Sequence, residues 1–396
     1  MNTQPVAILG MGMTDMSRRD LSPDAMAHQA VSEALGDAGI EAHQLTLVVF
    51  SNAMAGRLCD QGCIRGQSFL RKSGLGDVPV INVDNSCAGG TSAVHLGTMA
   101  ARANDGPVLV VGVEKMWTGD RAATLAGIED GLPADYRADM HARFPTGDSP
   151  GGSTLMRLND VWARQYMDER GGTTEQMASA AVKARRHASV NPLAQIHQTV
   201  TLEEVLESPQ VAGVLTRLMC SSFTDGAAAL VLSGPGGGAP SAAPRIIGSV
   251  ARSGNGEIDY HDRLQRTSDA AWESFGFGPA DVDVVELHDA TSAEELYALE
   301  SLGFFGPGEA GPATLAGTTA IGAKGLTVNP SGGLVGRGHP LGATGIAQIV
   351  ELATHLSGRG GPRQVDGARL GVAINTGGII EGDAAYVGIH AVAAGS

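Results

Sequence analysis

Two glycine-rich turns, one in each half of the chain, limit the possible folds more than any other feature. The first, NVDNSCAGGTSAVHLG (82–97), follows the apolar run VPVINV and opens a small-residue helical pattern. The second, GRGHPLGATG (336–345), opens the helical pattern IAQIVELATHL. Around each turn the same series recurs: strand, helix, strand, Gly-rich turn, helix, strand. In the first half the strands are VAILG (6–10), TLVVFS (46–51), VPVINV (78–83) and PVLVVGVEKM (107–116). In the second half they are PRIIGSVA (244–251), ADVDVVELHDA (280–290) and ARLGVAINTGG (368–378). These runs are continuously apolar rather than alternating, as in strands buried on both faces, so the reading is an α/β fold with largely parallel strands. The repeated series points to an internal duplication.

Other segments fit between these. A helix is expected after the first strand, capped by Ser22 and ended by Gly39. Residues 117–219 break the series with the loop signal TGDSPGGST (146–154) and polar helical stretches at 158–170 and 174–189. This region reads as an excursion of the first half that covers a site. TDGAAALVLSG (224–234) returns to the sheet, and GPGGGAPSAAP (234–244) links the halves. The expected division is therefore residues 1–236 and 244–396.

Composition excludes several classes. A net charge of −15 argues against a nucleic-acid surface, because neutralising phosphates needs clustered Lys and Arg. No apolar run approaches the roughly 20 residues that span a bilayer. The N-terminal stretch has neither a basic flank nor a small-residue cleavage site, which favours a cytoplasmic protein. Four cysteines in 396 residues form no disulfide framework. Cys59 and Cys63 lack the second pair that a zinc site needs, so no metal is expected.

Cys87 heads the chemistry. A thiol at a helix N-terminus meets unpaired N–H groups and the positive end of the dipole, which lower its pKa. The same N–H groups can hold an oxyanion. On position alone, a small thiol packed at a strand–helix junction is an equal reading. His288 in ELHDA ends a buried strand, and His339 lies in the second glycine turn. A lone histidine is more often structural, but two at turns that the repeat relates to the Cys87 turn suit a base and an oxyanion donor. His288, His339 and Asn375 are expected to converge with Cys87 in one pocket.

The motifs NSCAGGTSAVHLG, GVEKM, SFTDGAAALVLS, ELHDA, NPSGGLVGRGHPLGATG and NTGG together resemble the thiolase superfamily, in order and over nearly the whole chain. The sterol-carrier-protein-type, lipid-transfer-like members are the nearest in pattern, alongside acetyl-CoA acetyltransferases. The resemblance implies a five-layer αβαβα fold of two duplicated halves with an inserted loop region, a homodimer, and acyl-CoA as substrate with no covalently bound cofactor. It implies Cys87 as the nucleophile carrying the acyl group, His339 as its base, and His288 as a donor to an enolate oxygen. The backbone N–H groups of Cys87 and Gly377 would form the second oxyanion hole.

The sequence departs from that pattern at two positions. The family's acid/base cysteine lies in either a C-x-G turn or an HDCF motif. Here those positions are Asn375 and Ala290. The resemblance therefore implies a C-acyltransferase doing Claisen or retro-Claisen chemistry, with weak thiolysis and an open direction. Alternatives are a partner-dependent acyltransferase or retro-aldolase subunit, in a biosynthetic or a steroid or lipid degradation pathway, which works with a small zinc-ribbon/OB-fold protein. A silent scaffold is a further reading, against which the retained Cys87, His288 and His339 speak. For coenzyme A, Lys183 and Arg186 in VKARRH are the best local basic cluster, although a solvated helix face explains them as well.

Overall fold

A computed structural model describes residues 4–17, 20–144 and 153–396. Residues 146–152 of the loop signal read at 146–154 lie outside the described residues, as do the first three. The described residues form twelve strands: β1 (Val6–Met13), β2 (Leu47–Ser51), β3 (Val80–Val83), β4 (Val108–Lys115), β5 (Gln210–Ala212), β6 (Leu215–Thr216), β7 (Asp225–Ser233), β8 (Arg245–Ser253), β9 (Val284–Glu286), β10 (Thr327–Val328), β11 (Leu370–Ile380) and β12 (Asp383–Ala393).

Ten of these strands form one sheet in the order β10-β9-β11-β12-β8-β1-β7-β4-β2-β3. Cut between β8 and β1, it becomes two five-stranded sheets with the same plan. In the first, β3, β2 and β4 run parallel, and β7 and then β1 add antiparallel. In the second, β10, β9 and β11 run parallel, and β12 and then β8 add antiparallel. The duplication seen weakly in the letters is thus a matched strand order. The halves join through two residue pairs, Val6 with Ile246 and Ala7 with Arg245. The expectation of largely parallel strands is corrected: the sheet is mixed. A continuous apolar run reports burial on both faces, and it carries no information on strand direction.

The central layer is the pair of helices that follow the two glycine turns, Gly89–Ala103 and Leu341–Leu356. They meet backbone to backbone. A Cβ on Gly345 would lie 2.3 Å from the Thr91 nitrogen, and one on Gly90 would lie 2.9 Å from the Gly342 oxygen. The absence of side chains there lets the first turns touch. Whatever precedes each helix is thereby brought to the same place.

Outer helices cover the other faces. Pro23–Ala38 packs on the first half and ends at Gly39 in the left-handed conformation, φ 65°. Ser22 precedes it, but its side chain does not cap the helix N–H groups. Between β4 and β7 the chain leaves the sheet and forms helices at Arg121–Glu129, Ala134–Arg143, Thr154–Arg170 and Thr174–Ser189, then the small β5–β6 hairpin. Leu158, Trp162, Tyr166 and Met177 from this excursion share one apolar core with Val285, Leu296, Val372 and Ile389 of the second half. A segment of the first half therefore roofs the second. No helix among the described residues is long and apolar enough to cross a membrane.

Candidate active site

Cys87 lies two residues before the Gly89–Ala103 helix, and His339 lies two residues before Leu341–Leu356. Because those first turns touch, the two side chains face each other. His288 arrives from the turn after β9. The sulfur of Cys87 and a ring nitrogen of each histidine all lie within 4.8 Å of one another. The imidazoles meet edge to face, with centroids 5.1 Å apart. Three such donors are close enough to share a soft or borderline cation, and the same geometry serves a nucleophile with its base.

The proton positions follow from the neighbours. Thr344 donates its hydroxyl to the Pro340 carbonyl at 2.9 Å, and its oxygen lies 2.7 Å from His339 Nδ1. Nδ1 must then carry the proton and donate to Thr344. Nε2 is left as an acceptor that no group among the described residues engages. The His339 backbone N–H donates to Thr224 Oγ1, which fixes the turn. Burial, helped by His288 and Arg337 nearby, holds His339 well below the usual histidine range, so it is neutral and able to accept a proton. Burial also depresses His288 to about 4, against the opposing effect of Asn375 beside it.

Cys87 differs from the expectation of a lowered thiol pKa. Burial pushes it up to about 11, although the Ser86 hydroxyl and the local backbone N–H work the other way. Buried Glu114 and nearby Asp84 add to the rise. Desolvation leads these effects, so the resting thiol is protonated and depends on His339. Ser86 holds its backbone at φ 52°, an uncommon conformation for a non-glycine residue, and so turns Cys87 into the cavity.

Gly377 lies against this turn: a Cβ there would sit 2.3 Å from the Ala88 nitrogen. Its neighbour Asn375 is fully buried and is fixed from behind by Gln348. Gln348 Nε2 donates to the Leu287 and Ile374 carbonyls, so its oxygen must face Asn375 and accept from Asn375 Nδ2 at 3.1 Å. Asn375 Oδ1 has no hydrogen-bond donor in bonding geometry among the described residues, and it belongs to the side chain that acts on His288. Asn375 therefore presents an acceptor, and Ala290 on the cavity wall presents a methyl group. Neither supplies an acid/base thiol.

A cavity of about 700 Å³ opens at Cys87. The excursion supplies much of its wall, including Leu155, Met156, Asn159 and Trp162. Trp162 stacks on Tyr260, with centroids 4.3 Å apart, and the Tyr260 hydroxyl lies 2.6 Å from Thr376 Oγ1. The exposed Arg121 and Arg217 also line the cavity and so stand at its mouth. Lys183 and Arg186, expected at the coenzyme, do not line it. Lys183 is buried and spent on Glu295 Oε1 at 2.7 Å and Thr319 at 3.1 Å, while Arg186 points to solvent. Helical spacing places them near one face; the fold turns Lys183 inward, and Arg186 keeps the solvated position that the spacing also allowed. Thr344, Tyr260, Arg121 and Arg217 were not foreseen. Thr344 had a local signal in its place inside GHPLGATG, whereas the others carry none without the fold.

Comparison with known proteins gives concordant findings. Residues 6–234 match the family described as "Thiolase, N-terminal domain", and residues 257–388 match "Thiolase C-terminal domain-like". The chain is 36% identical to an acetyl-CoA acetyltransferase of Methanothermobacter thermautotrophicus, over 94% of this chain and 96% of that protein. It is 31% identical to sterol carrier protein 2 of Bos taurus, over 94% of this chain and 70% of the other. Among solved structures, the Ltp2-ChsH2(DUF35) aldolase superposes with TM-score 0.80 at 24% identity, covering 99% of this chain and 98% of that one. Human mitochondrial 3-ketoacyl-CoA thiolase in complex with CoA superposes with TM-score 0.72 at 15% identity, covering 100% and 99%.

Proposed function

The chain belongs to the thiolase family and is a thiolase-type acyltransferase; from that premise we propose that Cys87 carries the acyl group between coenzyme A and a carbon acceptor. The observation that supports this most is the free Nε2 of neutral His339 beside the protonated Cys87 thiol. His339 takes the thiol proton as the sulfur attacks the thioester carbonyl, and returns it to the departing coenzyme A thiolate. The N–H groups of Cys87 and Gly377 hold the carbonyl oxygen as its charge develops. In the second step the acceptor gives up its α-proton to neutral His339, the resulting carbanion attacks the thioester carbonyl, and the carbon–sulfur bond breaks as the Cys87 sulfur leaves and takes that proton back. His288, with its neutral ring, donates to the enolate oxygen. Arg121 and Arg217 replace Lys183 and Arg186 as the groups that meet the coenzyme's phosphates.

With Asn375 and Ala290 at the two acid/base positions, no second thiol shuttles the α-proton. Thiolysis of acetoacetyl-CoA is correspondingly weak in this reading. A partner-dependent version draws support from the aldolase structure, whose name pairs Ltp2 with ChsH2(DUF35). A homodimer is supported by edge strand β3, whose Ile81 is 44% exposed. Four free cysteines suit a cytoplasmic setting.

The test is intact-protein mass after incubation with acetyl-CoA. One acyl group is expected on the chain, none on Cys87→Ala, and an equal gain in the variant would overturn the reading. Sedimentation and co-purification decide between homodimer, monomer and a complex with a small zinc-ribbon/OB-fold protein.

A further inference from the structure

Glu294 lines the cavity from the first turn of the Ser292–Ser301 helix, although it is only 4% exposed. One of its oxygens, Oε2, lies 3.1 Å from His261 Nε2. The other, Oε1, has no hydrogen-bond donor among the described residues. The neighbouring Glu295 shows what a structural carboxylate looks like here: Lys183 takes one of its oxygens and Asn329 the other. Glu300, further along the helix, is likewise engaged, by the Tyr166 hydroxyl and by two backbone N–H groups. Glu294 keeps an acceptor for the cavity. His261 is itself clamped, stacked on Tyr297 with centroids 3.5 Å apart, so the carboxylate has a fixed anchor on one side only.

Resting on the acyl-enzyme reading above, we infer that Glu294 is the floor of the acyl site and selects acyl-CoA thioesters whose chain carries a distal hydroxyl. A plain alkyl terminus would displace water from Oε1 and return no donor, which is costly for a buried carboxylate. A distal carboxylate would meet like charge. A distal ammonium would be stripped of water beside Leu155, Met156 and Trp162 on its way in, at far greater cost than a hydroxyl. The hydroxyl donates to Oε1, and the apolar walls take the methylene groups.

The experiment is acylation of Cys87, followed by intact mass over time. It uses a short series of ω-hydroxyacyl-CoA thioesters, each paired with the unsubstituted acyl-CoA of the same carbon number. Wild-type protein is expected to favour the hydroxylated member of the best pair by on the order of ten- to a hundredfold. Glu294→Met should lose or reverse that ratio, and Glu294→Gln, which keeps an oxygen for the hydroxyl, should retain part of it. The wild-type ratio needs no variant: preference for the unsubstituted chain in every pair overturns the proposal. So does an unchanged ratio in a folded Glu294→Met. Acetyl-CoA, too short to carry the distal group, is the control. If neither it nor any longer thioester adds mass at Cys87, the acyl-enzyme reading itself has failed, which is a different outcome from acylation without selectivity.

Discussion

The turn that presents Cys87 and the turn that presents His339 occupy matching places in the two halves, yet they are built oppositely. Asp84 and Asn85 on the cysteine turn are exposed, and Ser86 is held in an uncommon backbone conformation. Around the histidine turn every residue from Thr327 to Ala353 is buried, and Thr224, Thr344 and Pro340 settle the ring's orientation. The group that must meet substrate sits where substrate can arrive. The group that must keep one tautomer sits in a fully buried, hydrogen-bonded turn. Duplication supplied two equivalent positions, and burial gave each its chemistry.

Removing the two histidines separately tests this contrast most strongly. His339→Ala should slow acylation of Cys87 by roughly 10²–10⁴, since the thiol loses its base. His288→Ala should leave acylation near the wild-type rate and slow carbon–carbon bond formation by roughly 10²–10³. Single-turnover mass measurements separate the two steps, and equal losses in both steps for both variants would break the assignment.

The thiol itself gives the next effect. With its pKa raised to about 11, Cys87 should react with iodoacetamide at neutral pH on the order of ten- to a hundredfold more slowly than a free cysteine. The sign follows from the thiolate being the reactive form: the rate should climb as pH rises and level off only above about 11. A plateau near pH 7 would mean that the helix N-terminus outweighs burial after all.

A smaller effect concerns how the turns are held together. Gly345→Ala forces a Cβ against the Thr91 backbone and should cost about 1–3 kcal/mol, read as a lower denaturation midpoint. Gly358→Ala makes a useful comparison, since that glycine has open space around it but a left-handed backbone, φ 68°. It tests strain without contact between the halves. Smallest of all, Arg217→Ala should raise KM for acyl-CoA a few-fold, in keeping with about 0.2–1 kcal/mol for an exposed ionic contact, and Arg186→Ala should not.

Much of this was legible in the chain. Cys87, His288 and His339 each sit at a junction between strand and helix, a local feature that sequence carries, and the repeat relates those junctions to one another. Asn375 and Ala290 could be read as missing thiols for the same reason. What escaped depends on how the excursion folds over the second half. Spacing put Lys183 on a helix face, but only packing shows that this face meets Glu295. Tyr260, Arg217 and Glu294 enter the cavity from segments far apart in sequence. A helix terminus is visible in letters, whereas the burial that opposes its effect on Cys87 is not. Strand direction was missed because apolar runs look alike whichever way they run.

Glycine against glycine between the central helices has a bearing on how such a chain changes over generations. The distance between nucleophile and base is set by main chain meeting main chain, so it is insulated from most substitutions nearby. Side chains around the site, such as Ala290, Glu294 and Asn375, can then be exchanged one at a time without loosening that frame. A lineage built this way can lose an acid/base thiol, alter its substrate or acquire a different reaction while its first chemical step survives intact.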